Sequence, residues 1–378
     1  MYKAFEDFYK EARIRHLVLE VNKDELVSPP FGTQNNPSYD MCAFYKDHTT
    51  LVSLDVPNAT SKFNAVGVTD DSIWLIPYGI YDDLNVVVQI KDKTPIYHKL
   101  DKKGKGQFYS VASHGNTACS FPLGYEDTQF LIYINNNKVK TIDVDTNEKK
   151  AHMGTVYCNG SYYSMPRGES VHYSNILEFD GKKVIKHKLN LPKVSRKYTD
   201  AVVVGNKLFS LPFGETAGLN EVIEFDTKTK EYRLWKLNVD DFAKKYNTQV
   251  LVDDVIIGLP YGDEDSNDSD KGIIFDTITK ESFQFSIKES YGGKFRYRSG
   301  IAYNGSAYFL PAGTPGCALY KIDTNGIWIS KTYPDNLMFG RPVIYNDEIH
   351  TIVYNTHDNS SNLVKLNDCL DIETVSIL

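Results

Sequence analysis

The chain has 378 residues, 41% of them apolar and 13% aromatic, which supports a large β-rich core and argues against disorder. A formal net charge of −7 and a pI near 5.8 argue against a nucleic-acid binder, which needs a basic face for the phosphate backbone. At about 150 residues per ordinary domain the length is too great for one domain, unless the chain is built of repeats that bury their faces against one another.

Residues 1–12 read as a short helix, because Tyr2, Phe5, Tyr9 and Ala12 share one face at helical spacing. The charged stretch Met1-Tyr2-Lys3-Ala4-Phe5-Glu6-Asp7 lacks the apolar core of a signal peptide. The chain also lacks the run of about 18 apolar residues that a membrane span needs. The expectation is a cytoplasmic protein without membrane contact.

From residue 13 onward one short motif returns. Pro-x-Gly occurs at Pro30/Gly32, Pro77/Gly79, Pro122/Gly124, Pro166/Gly168, Pro212/Gly214, Pro260/Gly262 and Pro311/Gly313, with an eroded eighth copy at Val353-Tyr354-Asn355. The steps are 47, 45, 44, 46, 48, 51 and 42 residues. A period in the mid-forties held along the whole chain is that of a β-propeller.

The fifth copy shows the unit most cleanly. Apolar Ala201 to Val204, the turn Gly205-Asn206, the alternating run Lys207 to Pro212, then Val222-Ile223-Glu224-Phe225, the turn Asp226 to Lys230 and the alternating run Tyr232 to Leu237 make four strands. Asn22-Lys23-Asp24, Asp70-Asp71, Gly115-Asn116, Asn159-Gly160, Asp253-Asp254, Asn304-Gly305 and Asn346-Asp347 fill the first hairpin turn of the other copies, with residues that tolerate positive φ. The expected fold is all-β: one propeller domain, residues 13–378, of four-stranded antiparallel blades at about 13–56, 57–100, 101–144, 145–191, 192–239, 240–287, 288–333 and 334–378. Eight blades is the expected number, seven the alternative, with closure between whole blades.

The stretch Val222-Ile223-Glu224-Phe225-Asp226-Thr227-Lys228-Thr229-Lys230-Glu231-Tyr232 resembles the third strand and turn of kelch repeats, and Gly272 to Lys280 repeats the pattern. Pro-x-Gly stands where kelch repeats carry Gly-Gly. The resemblance implies the propeller architecture and, with it, an interaction scaffold.

Fourteen residues before each Pro-x-Gly position stand His16, Phe63, Phe108, His152, Tyr198, Tyr246, Tyr297 and Phe339. Phe, Trp, Tyr and His supply only 19, 3, 26 and 9 of the 378 residues, so chance does not fill eight of eight positions this way. Basic residues flank them: Arg15, Lys62, Lys197, Lys245 and Arg296 just before, Arg298 and Arg341 just after. Two readings stand. The rings wedge between blades for packing, or they wall a cationic funnel at a channel mouth that takes a sugar, a nucleotide-like ring or an acidic side chain.

Acidic residues after Pro-x-Gly (Asp82-Asp83, Glu126-Asp127, Glu169, Glu215, Asp263-Glu264-Asp265 and Asp358) and basic ones between blades (Lys102, Lys103, Lys105, Lys149, Lys150, Lys193, Arg196, Lys244, Lys288 and Lys294) predict a charge-mixed loop face suited to a protein partner, or else ordinary solvated loops. The run Asp263 to Asp270 lacks the glycine and distal glutamate of a calcium loop and reads as a flexible acidic loop. The histidines show no metal spacing, so neither a metal nor a cofactor is expected. Cys42, Cys119, Cys158, Cys317 and Cys369 read as reduced buried thiols.

The leading expectation for function is a non-catalytic module that docks a protein or glycan on its loop face, alone or within a larger, for example viral, assembly. The alternative is an enzyme acting on an acidic sugar or small anion, with Tyr198, Tyr246, Tyr297 or His152 as acid/base and Arg298 binding the anion.

Overall fold

The structure, a computed structural model, describes residues 19–30, 41–46, 49–56, 62–79, 84–102, 104, 107–124, 129–146, 148–261, 270–287, 297–311, 318–332, 337–355, 361–366 and 372–374. The expected N-terminal helix lies outside these. Among the described residues there is no helix, hence none long and apolar enough to cross a membrane. The fold is all-β: eight four-stranded antiparallel blades in a propeller arrangement, each built from strands consecutive in sequence.

By internal contacts the chain divides into two units, residues 1–147 with 337–378 and residues 148–336. The first holds blades one to three and eight. Its end blades meet directly: Leu19, Leu26, Ala43 and Tyr45 form one apolar cluster with Val343, Ile352 and Leu363, and Tyr345 Oη donates to Asp24 O at 2.5 Å. The inner strand of the eighth blade is split, Leu337–Phe339 and Val343–Tyr345 both pairing with Glu348–Asn355. Pro342, which has no N–H to give a ladder, lies in the break. The second unit holds blades four to seven. In the fifth blade, Val202–Val204, Lys207–Ser210, Glu221–Asp226 and Tyr232–Lys236 follow one another from inside to outside.

The hairpins close as their residues dictate. Asn159-Gly160, Asn304-Gly305 and Asn346-Asp347 turn with positive φ at both positions; Asp70-Asp71 turns without it. In the second hairpin the Asp226 carboxylate accepts the N–H groups of Lys228 and Thr229 at 2.8 and 3.0 Å. Asp276 does the same for Ile278 and Thr279 at 2.7 and 2.8 Å. Thr227 and Thr277 tie this turn to the first one, their hydroxyls donating to Asn206 O at 2.6 Å and Asp254 O at 2.8 Å.

Pro-x-Gly fastens a blade to its successor. Phe63, Phe108, Tyr198, Tyr246, Tyr297 and Phe339 face Pro77, Pro122, Pro212, Pro260, Pro311 and Val353 across the ladder. The ladder bond comes from the following residue: Phe213 N–H donates to Lys197 O at 2.8 Å, as Tyr78 does to Lys62 O at 2.7 Å and Tyr261 to Lys245 O at 2.8 Å. Proline therefore stands where no N–H is called for. The carbonyls serve the next blade. Tyr246, Lys245 and Lys244 donate to Pro212, Phe213 and Gly214 O at 3.2, 2.8 and 2.6 Å, and Tyr198, Lys197 and Arg196 donate to Pro166, Arg167 and Gly168 O at 3.2, 3.0 and 2.6 Å. The glycine is required by geometry. Gly168 has φ +61°, and a Cβ there would lie 2.6 Å from Tyr173 Cβ.

Candidate functional site

The residues at the heads of the inner strands are buried. Phe63, Phe108, His152 and Tyr198 are 0% exposed, Tyr246 and Tyr297 1% and Phe339 5%. The hydroxyls of Tyr198 and Tyr297 donate to Glu221 O and Ala318 O, each at 3.1 Å, and burial raises the Tyr198 and Tyr246 pKa values. In the fourth blade the ring is His152. Its Nδ1–H donates to Met165 O at 2.9 Å, which leaves Nε2 to accept the Tyr173 hydroxyl at 2.6 Å. Burial lowers the His152 pKa to about 3, so the ring is neutral.

The lysines before the rings also turn inward. Lys62, Lys197 and Lys245 are 0% exposed. Lys197 Nζ donates to Val171 O and Tyr173 O at 3.0 and 2.7 Å, and burial lowers its pKa to about 8. Lys245 Nζ donates to Phe242 O and to Asp241 Oδ1. In the third blade Gln107 does this work without a charge, its amide donating to Leu84 O and Gly104 O. Lys197, Lys245 and Gln107 thus cap backbone carbonyls of neighbouring loops.

Arg298 differs: it is exposed, and its Nη2 donates to the Tyr261 hydroxyl at 2.8 Å with the guanidinium 5.5 Å from that ring. Phe213 meets the same ring edge-on at 5.5 Å. Arg341 is exposed too and favours the ionised form of Glu20, against the burial that raises that carboxyl's pKa. Arg15, His16, Arg296 and the acidic stretch 263–269 lie outside the described residues, as do Cys317 and Cys369. Cys42, Cys119 and Cys158 are buried free thiols.

The basic and acidic loop residues of the second unit are brought together in one row. Lys150 pairs with Glu169. Glu169 accepts from Arg196 at 3.3 Å, Arg196 donates to Glu215 at 2.7 Å, and Glu215 lies 3.6 Å from Lys244. The side chains of Lys150, Glu169, Arg196, Glu215 and Lys244 are 19, 37, 28, 27 and 21% exposed. Burial pushes the Glu169 carboxyl up, but Lys150 and Arg196 outweigh it and hold the group below the usual range. The three cations share a left-handed backbone, with φ of 48, 49 and 50°. That conformation costs an L-residue about 1–2 kcal/mol, offset at Arg196 and Lys244 by the bonds their N–H groups make to Gly168 and Gly214.

Sequence reasoning missed a second device. Glu178, buried on a third strand, accepts from Tyr163 at 3.0 Å, His187 at 2.7 Å and Lys230 of the next blade at 2.7 and 2.8 Å. Glu224 one blade on is held by Lys207, by Trp235 Nε1 at 2.7 Å and by Lys280 of the sixth blade at 3.1 Å. Both carboxyls sit below the usual range, their cationic and hydrogen-bonding partners outweighing burial. The repeat of an acid on strand three against a lysine in the next blade's turn was the available signal.

No protein-family model matches the chain, and no curated protein matches it. Solved structures do resemble it. The computationally designed Ika8 protein is similar with a TM-score of 0.62 at 10% identity, over 93% of this chain and 96% of its own. U3-55K is similar with a TM-score of 0.51 at 7% identity, over 79% and 89%. At such identities the likeness is one of fold.

Proposed function

We propose that the chain is a binding module that docks a protein partner on the loop face of its fourth, fifth and sixth blades. The observation that carries this reading is the row Lys150–Glu169–Arg196–Glu215–Lys244: alternating charges, partly exposed, on a backbone pinned by the Pro-x-Gly bonds. A fixed alternating row selects a surface of complementary alternation and rejects one out of register. Arg298, exposed on Tyr261, extends the proposed contact surface. A protein is favoured over a glycan because the rings at the strand heads are buried and give a sugar no face to stack on. The Asp-capped turns at Asp226 and Asp276 support kelch-type kinship, and a place in a larger assembly fits a docking role.

The test is quantitative mass spectrometry of the proteins retained from the native host by the immobilised chain and by Arg196→Glu, with thermal unfolding as a fold control. Reversing the central charge should abolish retention of the specific partner while the variant stays folded. An unchanged set of retained proteins would remove the row from function.

A further inference from the structure

Two blades of the second unit carry the same tripeptide at the same turn. Asn159-Gly160-Ser161 closes the first hairpin of the fourth blade, and Asn304-Gly305-Ser306 closes that of the seventh. The flanking pairs correspond, Cys158 with Ser161 and Tyr303 with Ser306. So do the backbones, with φ of 49 and 82° at Asn159 and Gly160 and of 47 and 71° at Asn304 and Gly305. All four residues are exposed, and a Cβ on either glycine would meet nothing within 4 Å.

The two asparagines differ in what holds the side chain. Asn159 Nδ2 donates to the Thr227 hydroxyl of the fifth blade at 2.6 Å. Thr227 is itself buried and fixed, its hydroxyl donating to Asn206 O at 2.6 Å. The Asn304 side chain makes no hydrogen bond among the described residues. It is the unheld copy of a pair otherwise matched in sequence, turn and exposure.

We propose that Asn304 is a site of spontaneous deamidation and that Thr227 shields Asn159 from the same reaction. The Gly305 nitrogen attacks Asn304 Cγ and gives up its proton as the new N–Cγ bond closes a succinimide ring. The side-chain nitrogen leaves with that proton as ammonia. Water then opens the ring at either carbonyl, to aspartate or to isoaspartate. Glycine has no Cβ to obstruct the attack. At both turns Cγ must swing over the glycine nitrogen, and at Asn159 this motion first breaks the bond to Thr227. Either product puts a carboxylate in the turn. Isoaspartate also lengthens the main chain of a hairpin whose ladder resumes at Tyr303 and Ser306. The site is separate from the charged row and stands without it.

The test incubates the folded full chain at mildly alkaline pH and follows the tryptic peptides 151–167 and 299–321 by mass spectrometry, each of which holds a single Asn-Gly. Asn304 should deamidate about three- to tenfold faster than Asn159, the margin that one net hydrogen bond supplies. In concentrated urea the two rates should converge, because the tripeptide is the same. Thr227→Val should bring Asn159 up to the rate of Asn304 and leave Asn304 unchanged, with thermal unfolding as the fold control. Equal rates in the folded chain, a faster Asn159, or a gap that persists in urea would overturn the proposal. So would an Asn159 that stays slow in folded Thr227→Val.

Discussion

His152 shows what a titratable ring does at the head of an inner strand. Three sister blades place phenylalanine there, Phe63, Phe108 and Phe339, and His152 adds bonds to Met165 and Tyr173. Its pKa falls from the ordinary 6.5 to about 3 on folding, so between these values the unfolded chain binds the extra proton. Stability must then rise with pH through that window and be lost as pH falls through it, with a slope of about 1.4 kcal/mol per pH unit for one proton. Glu178 and Glu224 act further down, because carboxyls held below their ordinary 4.5 lose their contribution only as pH falls past it. His152→Phe should therefore flatten the dependence between pH 6.5 and 4.5, read from denaturant midpoints at each pH. Parallel curves for the two proteins would show that the histidine is not buried neutral.

Between elements, the ladder explains what could be read beforehand. The inner and second strands are joined by a tight turn, so a cross-strand partner lies at a fixed sequence distance. Phe63, Phe108, Tyr198, Tyr246, Tyr297 and Phe339 each stand fourteen residues before their cross-strand partner, which is why the aromatic column was legible. The direction of the flanking lysines was not. Lys197 precedes its ring as expected, yet its ammonium turns to carbonyls of the preceding blade, and composition alone does not say which way a flexible stem runs. Contacts between blades were also hidden, because Glu178–Lys230 and Glu224–Lys280 bridge loops of unequal length. Lys230 is 37% exposed while Glu178 is 4% exposed. Removing the lysine should thus cost about 1–2 kcal/mol, less than a fully buried pair because water screens the cation. A double-mutant cycle of Lys230→Ala with Glu178→Gln checks it. A coupling near zero would make the pair incidental.

At the scale of the molecule, repetition did most of the specifying. Each blade is completed by its own consecutive strands, so the period was enough for the architecture, and of the two blade numbers it allowed, eight is the one present. What differs between copies carries the individuality, and the charged row of blades four to six is the instance the proposed function uses. The proposed docking of a partner on the charged row needs the segments leading into each blade to be as rigid as the strands, which the Pro-x-Gly bonds would ensure. Amide hydrogen exchange resolved to single residues measures this. The amides of Arg196, Lys197, Tyr198, Lys244, Lys245 and Tyr246, all bonded to the preceding blade, should exchange as slowly as those of Val222 and Ile223 within the fifth blade. Exchange at the rate of open loops would mean that Pro-x-Gly fastens nothing, and that no fixed face exists for a partner to read.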